Sequence, residues 1–181
     1  MFDLDDFLVE CRAAVRGDEP IHAIREVLAR AVSDPRGVAD ALPITCAELV
    51  PLCVDADLTV LKAVWAPHMR IRPHNHLMWA AIALYHGEEE NTFYRRTDDG
   101  IIAANGRVIA TGEVALLGED VIHAVSNPSG SFSAGIHVYG GDLTHRVDRS
   151  EWDDADVEVP TDFDRTLRYF AEANAALERT T

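Results

Sequence analysis

Lysine is nearly missing from this chain: Lys62 is the only one, and every other basic residue is arginine. Basic charge is short overall, with 16 Lys and Arg against 31 Asp and Glu, a net charge of −15. Nucleic acid and anionic membrane surfaces are therefore excluded as expected partners, since both repel an acidic body and no basic stripe offsets it. Cysteine is also scarce. Cys11, Cys46 and Cys53 form no C-x-x-C pair and leave an odd number, which argues against a disulfide framework and for a reducing interior. No apolar run approaches the roughly twenty residues of a membrane helix. The segment Met1-Phe2-Asp3-Leu4-Asp5-Asp6 lacks the basic and apolar regions of a secretory signal. The expectation is a soluble, cytoplasmic protein, monomer or homodimer. Linkers, repeats and low-complexity tracts are absent too, so 181 residues at 48% hydrophobic suit one domain over 1–181.

The first fifty residues read as helices. Leu4, Phe7, Leu8, Cys11 and Val15 recur at helical spacing until Gly17, and Ile21, Ile24, Val27, Leu28 and Ala31 repeat the pattern until Ser33-Asp34-Pro35. A helical turn fits 36–42. From 58 to 142 the texture changes to short apolar or alternating runs punctuated by Gly, Pro, Asn and Asp, the pattern of a β-sandwich or barrel. Strands are expected at 58–65, 69–72, 77–86, 90–96, 100–103, 107–110, 113–117, 121–126 and 132–139. An acidic loop after Trp152 leads to a last helix within 160–178, with Phe163, Leu167, Phe170 and Leu177 on one side. The expected fold class is mostly β with flanking helices (α+β), its core a barrel or jelly roll closed by its own strands.

His74-Asn75-His76 places two imidazoles one residue apart in an extended segment, so both project from the same face. A third, His123, ends the apolar segment that starts at Val114. Each alone would read as a packed core histidine; together they point to a metal. His22, His68, His86 and His145 fall on a helix, at strand ends and in a loop, and are not candidates. Trp79 is expected to pack the barrel, and Glu88 to Glu90 to form an exposed charged stretch.

These residues resemble the cupin superfamily. Its first motif sets His-x-His before a strand ending at glycine, here Gly87, eleven residues after His76; its second sets Asn four residues after a His, here Asn127 after His123. The usual cupin glutamate would fall at Ala80, which leaves an all-histidine site. A cupin of that kind is similar to the thiol dioxygenases, the cysteine dioxygenase-like family, and Gly135-Ile136-His137-Val138-Tyr139 resembles their Ser-x-His-x-Tyr segment. The serine is replaced by Gly135, with Ser133 two residues upstream. The cysteine that crosslinks to the tyrosine in some relatives would fall near Ala81, and no Tyr-x-Arg segment precedes the β region to grip a substrate carboxylate.

The resemblance implies a cupin-type double-stranded β-helix (RmlC-like jelly roll) and a mononuclear non-haem iron dioxygenase that oxidises a small thiol to its sulfinate with O₂. His74, His76 and His123 would be the metal ligands and Tyr139 and His137 the catalytic pair. Arg72 is not part of that resemblance; it shares strand parity with His74 and His76, and is the expected replacement cation for substrate. Imidazoles alone suit Zn, Ni or Cu as well as Fe(II). Another metal-dependent cupin oxygenase or isomerase, or a non-catalytic cupin binding a small ligand, stays open on these residues. The pair Tyr139 and His137 separates the two classes, since a binding module has no use for a phenol over an open metal position.

Overall fold

The computed structural model describes residues 2–179. Helices α1 (Leu4–Val15), α2 (Pro20–Val32) and α3 (Pro35–Ala41) come first. Each begins where its free N–H groups are satisfied or missing: Asp3 accepts from Asp6 N at 3.0 Å, Asp34 accepts from Gly37 N at 3.1 Å, and Pro20 and Pro35 open the second and third helices.

Eleven strands follow among the described residues: β1 (Glu48–Asp55), β2 (Leu58–Trp65), β3 (Arg70–Asn75), β4 (Ala80–His86), β5 (Glu88–Thr97), β6 (Gly100–Ala110), β7 (Val114–Leu117), β8 (Ile122–Ser126), β9 (Ser133–Tyr139), β10 (Ser150–Trp152) and β11 (Glu158–Pro160). They form a five-stranded sheet, β1-β2-β9-β4-β7, and a six-stranded sheet, β11-β10-β3-β8-β5-β6. Within these, β2-β9-β4-β7 faces β3-β8-β5-β6, and the chain crosses between sheets after nearly every strand. That interleaving is the jelly roll, or double-stranded β-helix.

Strands β2, β4 and β9 are buried almost throughout because both of their faces are covered. On the outer face Val60, Val64, Ala81, Ala83 and Val138 pack with Ile24 and Leu28 of α2. On the inner face Leu61, Ile82, Leu84 and Tyr139 pack in the barrel interior. Gly87 joins β4 to β5 at φ +70, where a Cβ would stand 3.0 Å from Phe132 O, so glycine is needed twice over.

The β region is wider than 58–142. β1 precedes it, with Pro51 and an irregularity between Pro51 and Cys53, both tolerated because β1 is an edge strand. The acidic segment after Trp152 is the turn of a hairpin, β10–β11, and ends in its second strand rather than being loop alone. The strands expected at 100–103 and 107–110 are one strand, β6, whose ladder with β5 absorbs an irregularity between Phe93 and Tyr94.

Helix α4 (Phe163–Glu178) is the last element among the described residues. Asp162 caps it, accepting from Asp164 N and Arg165 N at 3.0 and 3.3 Å. Its Phe170 stacks on Trp65 with ring centroids 5.2 Å apart, and Asn174 exchanges two 2.8 Å hydrogen bonds with the backbone of Ala47. No helix among the described residues is long and apolar enough to cross a membrane.

Candidate metal centre

Antiparallel pairing of β3 with β8 sets His74 opposite His123, and His76 projects from the same side as His74 just past the strand end. The three side chains offer nitrogen atoms that all lie within 4.8 Å of one another. His76 Nε2 is 3.1 Å from His74 Nε2 and 3.3 Å from His123 Nε2. Metal–nitrogen bonds of about 2.0–2.1 Å separate two ligand nitrogens by about 3.0 Å at a right angle and about 3.4 Å at the tetrahedral angle. The two short distances fall in that window.

Proton placement makes the same point. His74 Nδ1 is 2.9 Å from the carbonyl of Arg72 and His123 Nδ1 is 2.6 Å from Asn91 Oδ1. Both acceptors require the proton on Nδ1, leaving the Nε2 lone pairs aimed inward, which is how ligating histidines are held. His76 Nδ1 is buried with no partner. Even if His76 carried its proton on Nε2, it could satisfy only one of the two facing lone pairs. A cation satisfies all three. Burial pushes His74 down to about 4, with the Arg72 carbonyl partly opposing. Burial and then the neighbouring imidazoles push His76 and His123 well below the ordinary range. All three are neutral near pH 7, the state a metal needs.

The site opens on a cavity of about 60 Å³. A single water needs roughly 10–15 Å³ of such space, so the cavity is sized for a small molecule rather than a polymer. Its wall includes Leu61, Ile71, Val125 and Leu143, and its rim includes Phe163 and Tyr169 of α4. Tyr139 stands over the cluster, its ring edge-on to His76 with centroids 4.9 Å apart. His137, two residues back on β9, holds Nδ1 3.4 Å from the Tyr139 hydroxyl. Burial, reinforced by the charge of Glu89, raises the phenol above its ordinary value.

Arg72 lines the cavity, but its guanidinium pairs with Asp154 at 2.8 Å and lies 5.9 Å from the Tyr169 ring centroid. Arg149, which has no counterpart among the expected site residues, lines the same cavity at 6% exposure. Its hydrogen bond is Nε to the carbonyl of Arg146, at 3.4 Å, and no carboxylate among the described residues is within ion-pairing distance of it. Glu151, beside it and opposite His74 in the sheet, is instead paired with Arg165 at 2.9 Å.

The charged stretch Glu88 to Glu90 is not uniformly exposed. Glu88 and Glu90 are exposed, but Glu89 is completely buried, because β5 alternation turns Glu89, Asn91 and Phe93 inward. Glu89 Oε2 accepts from Trp65 Nε1 at 2.9 Å and lies 3.0 Å from His137 Nε2. Its Oε1 accepts from Asn91 Nδ2 at 2.9 Å. Burial alone would raise this carboxyl, but the contacts to His137, Asn91 and Trp65 outweigh it and hold it below its ordinary value. The absent serine has a steric reason: a Cβ at Gly135 would stand 2.9 Å from the carbonyl of Ala83. Trp79 packs away from the metal cluster, against the helical side and the bare Cα of Gly140. His22, His68, His86 and His145 are exposed and outside the cluster.

No protein-family profile matches the chain, and no curated protein matches it. Among solved structures it is similar to an RmlC-like cupin family protein with a double-stranded β-helix fold from Methanocaldococcus jannaschii, at 11% identity and TM-score 0.47, over 56% of this chain and 85% of that one. A conserved protein with a double-stranded β-helix domain from Klebsiella pneumoniae aligns at 15% identity and TM-score 0.46, over 58% and 82%. An oxalate oxidase in complex with the substrate analogue glycolate aligns at 17% identity and TM-score 0.42, over 48% of this chain and 43% of that one. The likeness is architectural; the chemistry has to be read from the site itself.

Proposed function

We propose that the chain is a metal-dependent oxidoreductase of the thiol dioxygenase kind, in which a mononuclear iron(II) site converts a small thiol and O₂ to the sulfinate, R–SH + O₂ → R–SO₂H. The observation that carries this reading is the set of three neutral imidazoles with no carboxylate among them, converging beneath a buried phenol in a cavity of about 60 Å³. Iron(II), when bound there, supplies a centre that stabilises a thiolate and exchanges electrons with O₂.

The protein's own groups then have defined tasks. Three uncharged ligands leave the positive charge of the ion unneutralised, so His74, His76 and His123 favour an anionic ligand over a neutral one. Arg149 supplies a second positive point in the same cavity, and holds the negative end of a thiol that carries one. The Tyr139 hydroxyl, held by His137 Nδ1, faces the ligand atoms above the imidazoles and orients them. Leu61, Ile71, Val125 and Leu143 keep water from the reacting sulfur, which strengthens every charge contact around it. Both oxygen atoms end on sulfur, so no further reductant is required.

The test is oxygen uptake by anaerobically prepared, Fe(II)-loaded protein offered cysteine, cysteamine, 3-mercaptopropionate and related small thiols. Thiol-dependent uptake with equimolar sulfinate is expected. A flat trace across the panel sinks the dioxygenase reading.

A further inference from the structure

One buried carboxylate reaches both halves of the site. From Glu89, one path runs through Asn91 to His123: Oε1 accepts from Asn91 Nδ2 at 2.9 Å, and Asn91 Oδ1 stands 2.6 Å from His123 Nδ1. The other runs through His137 to Tyr139: Oε2 is 3.0 Å from His137 Nε2, and His137 Nδ1 is 3.4 Å from the phenol oxygen. Trp65 Nε1, at 2.9 Å from Oε2, braces the carboxylate from a third direction. Every group in this network is buried.

We propose that Glu89 is a positioning residue that sets the tautomers of His123 and His137 together, and so couples the imidazole presented to a metal to the orientation of the Tyr139 phenol. It rests on the proposed function only for the phenol's role over the ligand; the coupling itself concerns protons and hydrogen bonds of the chain.

The logic is one of donors and acceptors. Asn91 must turn its carbonyl to His123 to accept the Nδ1 proton, and that turns its NH₂ to Glu89. A carboxylate, being acceptor only, receives it. The same carboxylate receives the Trp65 N–H and calls for a proton on His137 Nε2. His137 Nδ1 is then fixed as the atom facing Tyr139. Two hydrogen-bond donors, Trp65 and Asn91, and the His137 Nε2 atom lying 3.0 Å away without hydrogen-bond alignment therefore share two oxygens that have lone pairs to spare.

Glu89→Gln removes that surplus, since the amide has one oxygen and adds an NH₂. If the amide oxygen faces Trp65 and His137, its NH₂ opposes the NH₂ of Asn91. Asn91 then has to turn over, and His123 loses the acceptor that keeps its Nε2 unprotonated. If the oxygen faces Asn91 instead, the NH₂ points at His137 and drives its proton to Nδ1. One of the two paths must break in either case. Loss of such a supporting contact typically lowers metal affinity by about 10–100-fold.

The experiment uses the full chain loaded with zinc, so no turnover is needed. Long-range ¹H–¹⁵N spectra of ¹⁵N-histidine-labelled wild-type protein should place the His123 proton on Nδ1 and a His137 proton on Nε2; the opposite placement at either residue overturns the proposal without any variant having to fold. Glu89→Gln should then either lose zinc affinity by at least tenfold in a competition titration or move the His137 proton to Nδ1. Asn91→Ala should weaken zinc binding and leave the His137 tautomer unchanged. Folded Glu89→Gln protein with unaltered affinity and unaltered tautomers would mean a merely structural carboxylate and refute the coupling. Weakened zinc binding without any thiol oxidation would leave the coupling standing and remove only the dioxygenase reading.

Discussion

His74 and His123 are register partners across the β3–β8 ladder, so two of the three ligand side chains are fixed to one another by backbone hydrogen bonds before any ion is present. Removing one should therefore damage binding rather than folding. His123→Ala is expected to lower zinc or iron(II) affinity by more than about 100-fold, beyond the usual effect of losing a mere supporting contact. Metal analysis after dialysis checks it, with circular dichroism confirming the fold. Wild-type protein at metal concentrations about 100 times Kd should gain about 2.7 kcal/mol, or roughly 5–10 °C in Tm for a chain of this size. The variant should gain almost none of this.

Acid should destabilise the metal-free protein through its buried imidazoles. His74 is lowered from 6.5 to about 4 in the fold. Between those values the unfolded chain binds the proton and the folded one does not, so stability is full above about pH 6.5 and falls as pH drops toward about 4. Urea midpoints from pH 8 to 4 should decline across that window. His74→Gln should flatten part of the decline. An unchanged slope in the variant would assign the acid sensitivity to other groups.

Arg149→Met separates stability from binding. In the empty protein the change removes a buried guanidinium lacking a carboxylate partner, and should raise stability by about 1–3 kcal/mol, measurable as a higher urea midpoint. In the loaded enzyme it should lower kcat/KM by roughly 30-fold or more for thiols bearing a carboxylate, because their charge is left unpaired. Cysteamine, which has no carboxylate, should lose little. Equal losses for both thiols would take Arg149 out of the ligand contacts.

Tyr139→Phe deletes one hydroxyl and leaves the imidazoles in place. A preorganised polar group aimed at reacting atoms contributes roughly 100-fold to kcat, and a loss of that order is expected with metal content unchanged. Full activity in the variant would make the phenol a packing residue.

Gly135→Ser restores the residue type of the Ser-x-His-x-Tyr segment, yet should harm this protein. The new Cβ would press on Ala83 O from 2.9 Å, and overpacking of this kind costs about 1–3 kcal/mol. A lower Tm is expected without improved turnover.

What could be read from the chain differed by residue for physical reasons. The helices and the strands β2, β4 and β9 were legible because burial on one or both faces leaves a periodic or continuous apolar record. His74, His76 and His123 were legible because a ligand set is constrained in residue type and spacing. Strands β1, β10 and β11 were not, since edge strands of mixed polarity carry little period-two signal. Glu89 was masked by its acidic neighbours, although inward alternation with Asn91 and Phe93 was a usable sign. Arg149 had no local sign at all: its place beside the imidazoles depends on how the segment after β9 returns across the sheet, and its lack of a partner exists only in three dimensions.

Helix α4 lays Phe163 and Tyr169 along the rim of the cavity, and it is held there by the paired bonds between Asn174 and Ala47 and by the Arg165–Glu151 ion pair. The Phe170 ring stacked on Trp65 and the buried Glu151 carboxylate add an apolar and an ionic anchor to those bonds, so the helix is packed onto the barrel. Because Trp65 also donates to Glu89, the packing of α4 bears on the same buried network that reaches His123 and His137, and a substitution at Phe170 should be felt at the imidazole site as well as in stability.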